Sequence, residues 1–483
     1  MNTKLSTFNA QRPPSKGVRD GCSFDVRSSR LNVGGSRRTQ NGSVLIIVLW
    51  IAIGLVSIAL YFANAMTFEL RASDNRASGL ATDQAIEGAA RYISYVLANF
   101  STNGAVPDKT QYASEAVPVG DARFWLIGRD PSGTPSTEPY FGLIDEGSKL
   151  NLNTANTNTL YDLPNMNADL AQAIVDWRST NSSGAYALDY SQLGYVEKEA
   201  PFETVDELRL VYGSTLDLLV GEDLNRNGVL DANEKDLNSN GQVDPGLLED
   251  VTVYTREPNF HSDGTLLTNV NTASQQDLLT LFNDDGVANA GSLAAAIRNY
   301  THPATGAART FSGLFNFCLF CRGENMSSDD FDKIYTDVTT STNTYLRGRV
   351  NVNTAGADVL IALLMGAGLD EGTASGTAQS LITWRQQNPN NLGSVAWVVD
   401  ALGNTSTAVQ ALAGGDYITT RSFQFTADVA AVGPFGRGYR RVRFVFDTSD
   451  GTPKIIYRQD LSRLGWALGD KARQTLLANN ATP

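Results

Sequence analysis

Histidine and cysteine are nearly missing from this chain, and their scarcity closes off most catalytic chemistry. Only His261 and His302 occur, and only Cys22, Cys318 and Cys321. Two imidazoles far apart in sequence leave little for proton transfer near neutral pH. The chain has no Gly-x-Ser-x-Gly elbow, no His-Glu-x-x-His zinc motif and no phosphate-binding glycine loop. These absences argue against an enzyme. Cationic residues are also in short supply: 38 Lys and Arg face 51 Asp and Glu, a net charge of −13. So acidic a chain repels nucleic acid and anionic lipid, and is compatible with divalent cations. The Cys318-Leu-Phe-Cys321 pair has no second CxxC to complete a zinc site. Among Phe315, Phe317 and Phe320 it reads as a small disulfide or as two buried thiols.

What the chain does have begins at Gly42-Ser43, followed by an uncharged apolar run over 44–63. A helix of about 20 such residues spans a bilayer. Residues 1–42 carry eight basic side chains against two acids, which predicts a cytoplasmic leader. Without that leader the remainder carries −19. A secretory signal peptide cut near Ala63-Asn64-Ala65 is one reading, but the run is long for one. The favoured cut lies between Gly42 and Ser43, ahead of the run, so that the helix stays on the mature chain. Ala77, Leu80, Ala81, Ala85, Ala89, Ile93, Val96, Leu97 and Phe100 then recur at helical spacing. One helix is expected over 43–100.

A repeat follows. Asn151-Leu-Asn-Thr-Ala155, Asn269-Val-Asn-Thr-Ala273 and Asn351-Val-Asn-Thr-Ala355 each precede paired leucines and then an apolar helix ending in Arg178, Arg298 or Arg385. The repeated Asn and Thr are expected to cap helix starts. Trp177 and Trp384 are expected in the core. The first unit is similar to helix-hairpin-helix modules of DNA-binding proteins. Its turn, 163–167, lacks the glycine with which such modules approach phosphate.

Between the first two units lies a twelve-residue match to a calcium loop. Asp223, Asn225 and Asn227 supply side-chain oxygens, Val229 a carbonyl, Asp231 a water-mediated contact and Glu234 a bidentate carboxylate, while Gly228 permits the turn. A second loop holds Asp236, Asn238, Asn240, Gln242 and Asp244, but its twelfth position is Leu247. Glu249 or Asp250 is the expected substitute. The competing reading for both is a solvated Asn/Asp/Gly loop. Bound Ca²⁺ would first of all staple the segment.

Strand patterns stand at 124–127, 140–144, 423–427, 442–446 and 455–461, and the later ones alternate apolar and polar. They predict one antiparallel sheet with a single buried face, interrupted by helices. Asp145-Glu146 reads as a strand-end turn. The expected organisation is a cleaved leader over 1–42, a transmembrane and stalk helix over 43–100 and first sheet strands over 101–150. An inserted helical domain follows over 151–345, a further helical repeat over 346–415, closing strands over 416–469 and a tail over 470–483.

In this order the features resemble the general secretion pathway protein K family, the large minor pseudopilin of the type II secretion system. Gly42-Ser43 with its apolar helix carries the resemblance, together with segments 142–155, 173–178, 204–213 and 348–355 and the end through Leu464-Gly465-Trp466. The resemblance implies an α+β fold: a stalk helix on a pilin-like antiparallel sheet, with a large inserted domain of helix-hairpin-helix-like (SAM-like) repeats. It implies cleavage by prepilin peptidase and methylation of Ser43. It places the chain in the inner membrane as a single-pass protein with its bulk in the periplasm. Implied partners are I- and J-type minor pseudopilins, the pseudopilus with its assembly platform, and exported proteins. Most pilins carry glutamate at the fifth mature position, where the acid offsets a neighbouring subunit's amine in lipid. Here that residue is Ile47, and K-type members also lack the acid. Such a subunit suits the tip of the filament. The runner-up is a membrane-anchored helix-hairpin-helix DNA receptor, and a third reading is a secreted calcium-dependent adhesion module.

Overall fold

The computed structural model describes residues 43–131, 136–180 and 184–481. The leader, with Gly42 and Cys22, lies outside the described residues. Two compact units divide after Glu69. The first contains the start of helix α1 (Ser43–Phe100). Residues 44–68 carry no charge. Ser57 Oγ donates to the Ile53 carbonyl at 2.8 Å and Thr67 Oγ1 to Ala63 at 2.6 Å, so both hydroxyls are satisfied inside the helix. Among the described residues this is the one helix long and apolar enough to cross a membrane.

In the second unit the rest of α1 packs Ala85, Ile86, Ala89, Ile93 and Leu97 against a sheet. The sheet has six strands: β1 (Val117–Val119), β2 (Ala122–Ile127), β3 (Ile144–Asp145), β4 (Gln424–Val432), β5 (Tyr439–Asp447) and β6 (Lys454–Asp460). Their order is β1-β2-β4-β5-β6, with β3 also paired to β4, and every pairing is antiparallel. Strands from both ends of this unit therefore close one sheet, and residues 146–423 are inserted between β3 and β4. The alternation locates the strands, but the expected single buried face is corrected: all nine residues of β4 are buried. Phe425, Ala427 and Val429 face the α1 side. Thr426 and Asp428 occupy the alternate face, under the inserted domain.

The insertion is built on a threefold plan. Each Asn-x-Asn-Thr-Ala segment opens with a two-residue strand paired in parallel to a strand that ends its unit: Leu150–Asn151 with Val251–Thr252, Thr268–Asn269 with Val338–Thr339, and Val350–Asn351 with Ile418–Thr419. Two helices follow each opening strand closely: α2 (Thr157–Tyr161) and α3 (Ala168–Arg178), α4 (Gln275–Asp284) and α5 (Ala290–Thr301), then, beyond α6 (Leu314–Gly323), α7 (Ala357–Gly366) and α8 (Glu371–Gln387). Trp177 is buried, and Trp384 stacks on Trp397 at 5.1 Å. The C-terminal stretch expected as a tail is helix α9 (Gly469–Ala481).

The repeated asparagines do not cap helices, contrary to expectation. The N-caps are Asn156, Ser274 and Gly356. The first asparagine of each unit instead accepts from the backbone N–H two residues on, at 2.8–3.0 Å. The second reaches across to a loop 39–49 residues later: Asn153 pairs both ways with Phe202, Asn271 with Phe311, and Asn353 donates to Leu392. Asn353 Oδ1 also accepts from Trp397 Nε1 at 2.9 Å. The closing arginines donate back to the turn: Arg178 to Leu152 and Ala155, Arg298 to Ala273, and Arg385 to Val352. Asn353→Ala strands the Leu392 carbonyl and the Trp397 indole N–H, and is expected to cost about 1–3 kcal/mol in thermal or urea unfolding.

Asp145, at the end of β3, ties the third unit to the sheet. It accepts from Gly147 N at 2.7 Å, Asn351 Nδ2 at 3.0 Å, Ser422 Oγ at 2.8 Å and the Thr354 hydroxyl. Burial pushes its carboxyl up to about 6 against the pull of these donors. Cys318 and Cys321 stand on α6 as two free thiols, both fully buried. Burial pushes both thiols well above their usual range.

Candidate functional site

The acid-rich segment folds as two successive loops whose ends are clamped together. Gly221 bridges Pro245, Glu222 N donates to Asp244 O, and Gly246 N donates to Val220 O, the last two at 2.9 Å. A Cβ on Gly221 or Gly246 would lie 2.4 Å from the opposing backbone, so the clamp requires glycine at both positions.

Inside the first loop, the Asp223 carboxylate accepts from Asn227 N at 2.9 Å and Gly228 N at 2.8 Å. Asn227 Oδ1 accepts from Val229 N at 2.9 Å. Glu234 reaches back to Asn225 N at 3.2 Å and Asp231 N at 3.0 Å, closing the ring. The carboxamides of Asn225 and Asn227 both converge on Asp231 Oδ2. Gly228 has φ +83° and Arg226 φ +57°, so two left-handed residues fold the turn. Asp223, Asn225 and Asn227 are buried.

The second loop copies the first. Asp236 accepts from Asn240 N at 3.1 Å and Gly241 N at 2.8 Å, and Asn240 Oδ1 from Gln242 N at 2.7 Å. Asn238 and Asn240 both donate to Asp244. Ser239 and Gly241 are left-handed, like Arg226 and Gly228. Among the described residues neither the Glu249 nor the Asp250 carboxylate is hydrogen-bonded to the second loop's backbone in the way Glu234 is to the first. Glu222 takes that place: its carboxylate accepts from Leu237 N at 2.6 Å and Asp244 N at 3.1 Å. Glu222 precedes both loops, and its proximity to the second depends on the Gly221–Pro245 clamp. Glu249 is committed elsewhere, to Arg129 at 2.9 Å and Arg226 at 3.6 Å.

The oxygens fit a hard cation. Asn225 Oδ1 is buried with no hydrogen-bond partner in the first loop. Burial raises the carboxyl pKa of Asp223, with Arg129 opposing. Burial also raises that of Glu234, and Asp223 and Asp231 add to the rise. A divalent ion would relieve this crowding. Among the described residues no three His, Cys, Asp or Glu side chains form a cluster of metal ligands. The donor set is instead acids interleaved with carboxamides, which suits Ca²⁺ better than a transition metal. Asp223, Asn225, Asn227, the Val229 carbonyl, Asp231 and Glu234 would hold one ion. Asp236, Asn238, Asn240, the Gln242 carbonyl, Asp244 and Glu222 would hold a second.

The first loop sits on the sheet through buried charges. Arg441 of β5, fully buried, donates to the carbonyls of Asn225 and Arg226 and forms a two-pronged pair with Asp428 of β4 at 2.8 and 2.9 Å. Arg443 meets the same carboxylate at 2.8 Å. Arg129, just after β2, donates to Arg226 O at 3.1 Å and lies 3.7 Å from Asp223. Asn225 Nδ2 donates to Trp466 O at 3.1 Å.

The helical pairs offer a poor phosphate site. Their turns carry the left-handed residues Asn165, Gly286 and Gly368, but Asn167 and Asp370 cap the next helix with their own side chains. Asp370 would also repel phosphate.

No family model and no curated protein matches this chain. Among solved structures it is similar to a chain of "The Crystal Structure of the GspK-GspI-GspJ complex from enterotoxigenic Escherichia coli Type 2 Secretion System". The likeness has 11% sequence identity and a TM-score of 0.38, and covers 81% of this chain and 99% of that one.

Proposed function

We propose that this chain is a minor pseudopilin at the tip of a type II secretion pseudopilus, where it nucleates assembly with I- and J-type minor pseudopilins and supports protein export. The observation that carries the reading is α1. One helix holds an uncharged first part, with Ile47 in place of the pilin acid, and a last part that packs on an antiparallel sheet. The inserted domain, 146–423, adds the bulk of a subunit that ends a filament more easily than it fits within one. Prepilin peptidase cuts after Gly42 in this reading, and the helix then anchors the chain in the inner membrane. The two loops hold structural Ca²⁺.

Co-expression of the full chain with I- and J-type partners, followed by purification in detergent, tests the tip assignment. A stoichiometric three-part complex is expected. Recovery of I–J complexes from which this chain is absent, although all three are co-expressed, contradicts the assignment. Retention of duplex DNA that weakens steeply with salt would point to the uptake receptor instead.

A further inference from the structure

The two carbonyls that Arg441 binds belong to consecutive residues of the first loop, at its third and fourth positions. Their side chains and carbonyls serve opposite purposes. Asn225 turns its carboxamide inward, toward Asp231, while its carbonyl faces outward to Arg441. Arg226 reaches this arrangement only in the left-handed region, φ +57°, which a non-glycine residue adopts at a cost. That backbone shape goes with a closed loop. An opened loop would withdraw both acceptors from a guanidinium that is 0% exposed, leaving it Asp428 alone. A buried donor without a partner is costly. Arg129 repeats the contact from another strand end, on the same Arg226 carbonyl. Trp466, which leads into α9, receives Asn225 Nδ2.

We propose that Arg441 is a positioning residue for the first cation loop, and that through it Ca²⁺ binding locks the inserted domain onto the β4–β5 face of the sheet. The proposal rests on the calcium reading above. Coupling of this kind is reciprocal: an ion that favours the closed loop favours the Arg441 contacts, and loss of Arg441 weakens the ion by the same factor. The second loop makes no such contact with the sheet, and its Asn238, Asn240 and Gln242 are exposed. Sensitivity of the sheet to calcium should therefore come from the first loop alone.

The test uses the full chain in detergent, with CaCl₂ as the titrant. Calorimetric titration of the wild type comes first, and absence of any calcium heat or calcium-dependent Tm shift would refute the calcium reading itself. With binding established, Arg441→Met is expected to weaken the first site at least tenfold and to remove most of the calcium-dependent rise in Tm. Arg441→Lys, which keeps the charge but cannot serve both carbonyls and Asp428, is expected to fall between. Should Arg441→Met not fold, hydrogen exchange of the wild type decides. Amides of 428–432 and 439–443 are expected to lose protection in EGTA along with those of 223–234. Equal calcium affinity in a folded Arg441→Met, or calcium-dependent protection confined to 221–246, overturns the proposal while leaving the calcium sites standing.

Discussion

Replacing Asp428 by alanine is expected to destabilise the chain by about 3–5 kcal/mol, the usual cost of stranding buried charges. Two guanidiniums depend on this one carboxylate, and Asp428 and Arg441 are both 0% exposed. Burial alone would raise the Asp428 pKa, but Arg441 and Arg443 outweigh it and hold the carboxyl well below its usual range. Glu249 is held low in the same way by Arg129, Lys149 and Arg226. A carboxylate whose folded pKa is depressed contributes stability above its unfolded pKa and loses it on acidification. The wild type should therefore lose stability as pH falls below roughly 4. Asp428→Ala should show a shallower acid limb on a lower plateau. A pH series of urea melts measures both, and a loss under about 1 kcal/mol at neutral pH would mean that water reaches these arginines.

Calcium should produce the second large effect. Extracellular loops of this kind bind at roughly 10⁻⁴–10⁻³ M. At about a hundredfold excess over Kd, ligand linkage adds ~2.7 kcal/mol for a single site. Glu234→Gln keeps the size of the side chain and removes its charge, and should abolish the first site. Glu222→Gln should weaken the second site while sparing the first, because the Glu222 carboxylate contacts Leu237 and Asp244. Titration of the two variants checks this assignment. Two sites unchanged in Glu222→Gln would return the closing role to another acid.

The parts legible in the sequence are those set by local pattern. An uncharged run marks α1, alternation marks β4 to β6, and the Asp/Asn/Gly spacing marks the fold of both loops. What stayed hidden depends on distant closure. Glu222 lies outside the second loop whose backbone its carboxylate ties, and the clamp between Val220–Glu222 and Asp244–Gly246 brings it there. The Asn-x-Asn-Thr-Ala repeat is plain by eye, but its second asparagine pairs with backbone 39–49 residues away, so the local pattern suggests a cap instead. Asp428 directly follows the alternating pattern 423–427, whose polar positions a single buried face would turn to solvent. The inserted domain covers that face, and the polar residue turns out to be the anion of a buried network. CxxC spacing leaves disulfide and thiol readings open, and in the structure both sulfurs are buried on α6.

In the proposed function this chain enters a pseudopilus through a processed, retained helix. The most direct measurement is its mature N-terminus, by mass spectrometry of the full chain expressed with and without prepilin peptidase. The account predicts a peptidase-dependent start at Ser43, with α1 intact behind it. A peptidase-independent start near Met66, which removes the uncharged half of the helix, would contradict it.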